Sequence, residues 1–133
     1  MGLLSRAEYL ANLVNGASQS TSKKIKISKK TLNLLKKKIS EYQKVYRIFG
    51  CILLESRVHN KGKMEFCEKL TRVAGDIGIA NPISHDLALF LLPSEMDREL
   101  IAHRLSKSLN AEPVLSFKAA NPEYAINRII AMS

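Results

Sequence analysis

Apolar positions along this chain switch between a period of three to four residues and a period of two, and each switch marks a new element. Residues 2–14 place Leu3, Leu4, Ala7, Leu10, Ala11 and Val14 at helical spacing, which predicts a short amphipathic helix. The stretch from Asn15 to Ser22 is Gly, Ser, Thr, Asn and Gln with little to bury, and reads as a flexible linker. From Ser28 to about Arg47, Leu32, Leu35, Ile39, Tyr42 and Tyr46, followed by Phe49, recur at three- or four-residue steps uninterrupted by Gly or Pro, so a longer helix is expected. Its apolar stripe is narrow. Such a stripe suits a helix that pairs with a second copy of itself or lies along the following domain.

The pattern then changes. Val45 to Glu55 is rich in apolar and β-favouring residues and predicts a central strand. Asn60 to Gly75 supports a helix through Met64, Phe66, Cys67 and Leu70, with Gly75 and Gly78 marking its end. Ile77 to Ile83 predicts an edge strand because of Pro82, Ser84 to Asp86 a polar turn, and Leu87 to Leu92 a strongly apolar strand closed by Pro93. A helix capped by Ser94 is expected to run to Asn110. Val114 to Ala119 alternates as a strand, and Asn121-Pro122 opens a last helix. The order predicts an α+β fold: a single sheet with an antiparallel hairpin and helices packed on it, related to ferredoxin-like arrangements and preceded by N-terminal helices.

Charge divides the chain unevenly. Residues 1–48 carry 11 bases against 2 acids, whereas the remainder balances at 10 and 10, so the whole formal excess of +9 lies in the N-terminal third. A neutral domain with a basic arm attracts acidic surfaces at long range through the arm alone. Residues 23–38 therefore raise nucleic acid or an anionic surface as a partner, but aromatics are missing from Ser20 to Glu41, which argues against base stacking there. The division expected is a basic, partly flexible arm with a short helix over 1–27, a basic amphipathic helix over 28–48, and an α+β domain over 45–133.

Two cysteines, Cys51 and Cys67, sit in apolar or amphipathic runs without metal-knuckle spacing, and read as buried thiols of a reducing compartment. No apolar run approaches a membrane span, and MGLLSRAEYL lacks the features of a signal peptide, so a cytoplasmic protein without a transmembrane segment is expected. His59 and His103 stand among bases and read as surface residues. His85, beside Asp86 in a turn, is the one histidine in a polar cluster, although a Ser-His-Asp turn needs no role beyond its own hydrogen bonds.

From the first strand onward the order of elements resembles the diguanylate cyclase family, whose domain is named GGDEF after the turn between its second and third strands. CILLES is similar to that family's first strand, SHDLALFLLP to its signature turn and third strand, MDRELIAHRLSKSLN to the next helix, and VLSFKAANPEYAINRI to the following strand and helix. The resemblance implies that Ser84, His85, Asp86, Leu87 and Ala88 occupy the signature turn in a degenerate form. Both glycines and the signature Glu are replaced, and Leu87 neither ligates a hard cation nor takes a proton. Glu55 would stand for the family's first-strand metal carboxylate, and one carboxylate makes a poor magnesium site, while Ala80 and Ile83 stand where the family's product-binding Arg-x-x-Asp pattern falls.

These readings converge on a non-catalytic regulatory or scaffolding module, a pseudoenzyme without a cofactor or metal, acting by protein–protein contacts in a signalling or larger assembly. The expected contact residues are Leu32, Leu35, Ile39, Tyr42 and Tyr46, with Lys36, Lys37 and Lys38 selecting an acidic partner or surface; a second copy of the chain pairing through the 28–48 helix is among the expected partners, so an oligomer is expected. Two alternatives stay open: a basic accessory protein binding nucleic acid or an anionic surface through residues 23–38, and a residual binder of a nucleotide or cyclic dinucleotide.

Overall fold

A computed structural model describes residues 26–62 and 64–132; the helix expected over 2–14, the linker from Asn15 to Ser22, and Lys23 and Lys24 lie outside the described residues. The elements are α1 (Lys29–Val45), β1 (Phe49–Ser56), α2 (Glu65–Ala74), β2 (Ile79–Ser84), β3 (Leu87–Pro93), α3 (Arg98–Leu109), β4 (Ala111–Ala119) and α4 (Pro122–Ile130). Ile27–Ile129 is one compact unit, so α1 belongs with the sheet and is not a separate segment ahead of it.

The four strands order as β2-β3-β1-β4 with every neighbouring pair antiparallel. With the chain order β-α-β-β-α-β from β1 to β4, this is the expected ferredoxin-like α+β arrangement. Its central strands are buried along most of their length, from Phe49 to Leu54 in β1 and from Leu87 to Pro93 in β3. That burial explains why both read as continuous apolar runs rather than alternating ones: helices cover both faces.

Side chains alternate across each strand. On one face Ile52, Leu54, Ala88, Phe90 and Leu92 pack with Phe66, Leu70 and Ala74 of α2 and Ala102 and Leu105 of α3. Phe49 points the other way and meets the Tyr42 ring edge-on at 6.1 Å, which places α1 on the second face. Phe117 meets Tyr124 of α4 at 6.0 Å, and the Arg128 guanidinium lies 4.7 Å from the Phe117 centroid. The two helices of this face are joined by the Lys36–Glu123 ion pair, and Gln43 Nε2 of α1 donates to the Ala120 carbonyl in the link between β4 and α4. Each fully buried Leu or Phe contributes about 1.5–3 kcal/mol.

Several boundaries differ from the sequence expectation, each for a local reason. Val45 ends α1 and is not the start of the strand, because Tyr46 turns extended as the C-cap and β1 starts only at Phe49. The helix expected from Asn60 begins at Glu65, since Asn60 donates from both its backbone and its side chain to the Asp86 carboxylate in the turn between β2 and β3. Asp97, not Ser94, caps α3: its carboxylate accepts the Leu100 N–H at 3.1 Å. Asn110 closes that helix in the left-handed region at φ 52°, as its position implied. β4 begins at Ala111, before Pro113, because the register shifts between Leu53 and Leu54 opposite the proline. Pro82 and Pro113 thus sit within the two outer strands, where a missing donor is tolerated and strand addition is blunted.

Candidate functional site

The apolar stripe of α1 is used inside the chain. Leu35, Ile39 and Tyr42 are buried, Leu32 is half-buried, and only Tyr46 keeps substantial exposure. This corrects the expectation that the stripe forms a partner contact: Leu35, Ile39 and Tyr42 are closed to a partner by the fold itself. Burial raises the Tyr42 hydroxyl to about 12, with Tyr46 and Glu95 adding to the effect, so it is neutral at ordinary pH.

What α1 presents outward is charge. The 3.6-residue period lines up Lys30, Lys37 and Lys44 at seven-residue steps on the side away from Leu35 and Ile39, and all three are exposed. Lys29, Lys36 and Lys38 flank that row and are exposed too. Between Lys29 and Ile48 seven bases face a single acid, Glu41. Ser28 starts the helix, its hydroxyl accepting the Thr31 N–H at 3.1 Å, and the lysine row runs to the helix end.

Beside this row lies an open groove of about 770 Å³, bounded by α1, α2 and the edge strand β2. Val45 and Tyr46 line it from α1, Met64 and Cys67 from the start of α2, and Ile79 and Pro82 from β2. Val45, Met64, Ile79 and Tyr46 are all substantially exposed. Lys38 and Glu41 stand on the α1 wall and Glu68 on the opposite one. A second cleft of about 790 Å³ separates α3 from β4, with Arg57, His103 and Lys107 on its rim. In it the Ser106 hydroxyl is buried without a hydrogen-bond partner among the described residues.

The turn from Ser84 to Asp86 is built as a clasp. Ser84 and His85 are exposed, Asp86 is half-buried, and Leu87 and Ala88 enter the core as part of β3. Asp86 Oδ1 accepts from the Asn60 backbone N–H at 3.1 Å and from Asn60 Nδ2 at 3.0 Å. The Asp86 carbonyl accepts the Ser56 N–H at 2.7 Å. Asn60, only 1% exposed, in turn accepts from Lys69 Nζ at 3.3 Å. The Asn60 side-chain donor holds the Asp86 carboxyl below the usual carboxylate range, helped by the Asn60 N–H and by His59, whose Nδ1 lies 3.8 Å from Oδ2. Glu55, one residue before the end of β1, is half-buried and paired in register with Leu87.

His59 and His103 are at the surface as expected, and Cys51 and Cys67 are buried free thiols. Among the described residues no helix is long and apolar enough to cross a membrane. Comparison with protein-family models, with curated proteins and with solved structures returns no match to this chain. Sequence reasoning missed Val45, Met64 and Ile79, which come together from three elements. Each reads singly as an ordinary apolar position, so periodicity carried no signal for the groove.

Proposed function

We propose that the chain is a non-catalytic binding module that acts through protein–protein contacts in a cytoplasmic regulatory or signalling assembly, using the lysine face of α1 to take an acidic partner. The observation that carries this reading is the exposed row Lys30, Lys37 and Lys44 on a helix whose opposite side is fastened into the fold. A helix held rigidly on a sheet presents its charges in a fixed pattern, which gives on-rate and selectivity toward a complementary surface.

In this reading the domain is a degenerate relative of the diguanylate cyclases whose signature turn has become structural. Two features support that part. The residue in the signature Glu position, Leu87, is buried in the core opposite Glu55. The acidic residue that remains, Asp86, spends its carboxylate on Asn60.

The test is fluorescence anisotropy with a labelled peptide of Glu and Ser residues only, measured at low and moderate salt. Charge reversal of the row (Lys30→Glu, Lys37→Glu, Lys44→Glu) is expected to weaken binding by at least about tenfold, and salt to weaken it further. Binding that ignores both the reversal and the salt would overturn the proposal.

A further inference from the structure

Single exposed apolar side chains are ordinary on a protein surface, but several converging in one concavity are not. Val45 is 72% exposed, Ile79 53%, Met64 47% and Tyr46 38%, and all four line the groove beside α1. They arrive from the end of α1, the start of α2 and the edge strand, so their meeting is a product of the fold and not of one amphipathic segment. The floor is firm: Leu91 belongs to a central strand and is 1% exposed, and Asn81 is 4% exposed with Nδ2 donating to the Leu89 carbonyl at 3.4 Å. A preformed apolar floor costs little ordering on binding.

The groove's own charges are mixed, Lys38 with Glu41 on the α1 wall and Glu68 on the other, and the lysine excess lies on α1 just outside it. On the α1 wall Glu41 has Lys37 and Lys38 one turn before it and Lys44 one turn after, so its charge is outweighed locally. The opposite wall carries Glu68, with Arg72 four residues on. A ligand seated on the aliphatic surface between the walls therefore meets Lys38 directly, with the exposed Lys37 and Lys44 just outside the groove on the outer side of α1. Val45, Met64 and Ile79 offer no flat ring for a base, and the Tyr46 ring is engaged on Tyr42 at 4.9 Å. This chemistry fits a protein segment better than a nucleic acid.

We infer that the groove is the anchoring half of the interface, and that its occupant is an acidic protein segment bearing large apolar side chains, its carboxylates on the α1 lysines and its apolar residues against Val45, Met64 and Ile79. The inference rests on the lysine-face reading above and adds to it the class of partner. Pro82 in the neighbouring strand makes side-chain capture, not strand addition, the mode of contact.

Two labelled peptides of equal length and charge test it on the full chain, one of Glu with Leu and Phe, the other with Ser in place of every Leu and Phe. The native chain is expected to bind the first about tenfold tighter than the second. The double change Val45→Ser with Ile79→Ser, both at exposed positions, is expected to erase that difference while leaving the Ser peptide unaffected. Met64→Ser repeats the test from a third element. The triple lysine reversal is expected to weaken both peptides. Equal affinity of the native chain for the two peptides, or discrimination that survives the groove changes, overturns the anchoring groove; the lysine-face reading then still stands if the reversal weakens both. Absence of binding to either peptide overturns both readings, and a single-stranded oligonucleotide of matched charge binding more tightly than either peptide overturns the protein partner.

Discussion

Replacing Asp86 by Ala removes the acceptor that ties the loop after β1 to the hairpin turn. In the native chain Oδ1 takes two hydrogen bonds from Asn60, at 3.1 and 3.0 Å, and Asn60 itself is 1% exposed. Hydrogen bonds to a charged group contribute about 1.5–3 kcal/mol each when well shielded. Here the carboxylate side chain is 36% exposed and Asn60 Nδ2 keeps a second acceptor in the Val58 carbonyl at 3.0 Å, so the pair together is worth less than its sum. A loss of about 2 kcal/mol follows, most of it from a buried N–H left without a partner. In urea, with a slope of about 1–3 kcal/mol per molar for a small domain, the midpoint should fall by about 1 M. Equilibrium unfolding followed by circular dichroism measures this. The pH dependence has a definite sign. The folded carboxyl is depressed below its unfolded value, so its stabilisation is complete above about pH 4 and is lost as pH falls through the folded pKa. The gap between native and Asp86→Ala should therefore close in acid. His85→Ala, at an exposed position, should stay within about 0.5 kcal/mol of native. An Asp86→Ala protein as stable as native at neutral pH, or a His85→Ala protein equally damaged, would refute the clasp.

Leu35→Ala should cost about 2–5 kcal/mol in thermal or chemical unfolding, because its side chain is 2% exposed and leaves a cavity, and Leu35→Asp should prevent folding rather than merely release a partner. Cys51, buried and with its thiol raised to about 12 chiefly by that burial, should resist a thiol reagent at neutral pH until urea unfolds the chain, and Cys67, raised in the same way, should react slowly. Prompt reaction of Cys51 in the folded protein would show that the second face of the sheet opens readily.

Much of the fold was legible because local and tertiary preferences agree there. The run Leu87 to Leu92 is a strand by composition and a central strand by burial. Asn110 and the Asn121-Pro122 pair end and begin helices through their own backbone and side-chain chemistry, Asn121 Oδ1 accepting the Tyr124 N–H at 2.8 Å. The errors fall where a contact outside the element itself decides. Asn60 reads as the start of a helix until Asp86, 26 positions away, takes its donors. Ser94 and Asp97 are both good caps by type, and only the turn made by Met96 N–H to the Pro93 carbonyl selects the second. Amphipathicity located the buried side of α1 correctly and left open what covers it. The lysine face was visible as a count of charges, whereas the groove depends on Val45, Met64 and Ile79 meeting in space.

The prolines in β2 and β4 bear on how this unit behaves when it is repeated. An antiparallel sheet with open borders can fuse with its neighbour when two copies are joined in one polypeptide, and the fused sheet misfolds as a single object. With Pro82 near one border and Pro113 near the other, tandem copies of this domain should fold as independent beads, each melting as it does alone. That property makes the unit suitable as a repeated spacer that carries a basic helix at regular intervals along a longer chain.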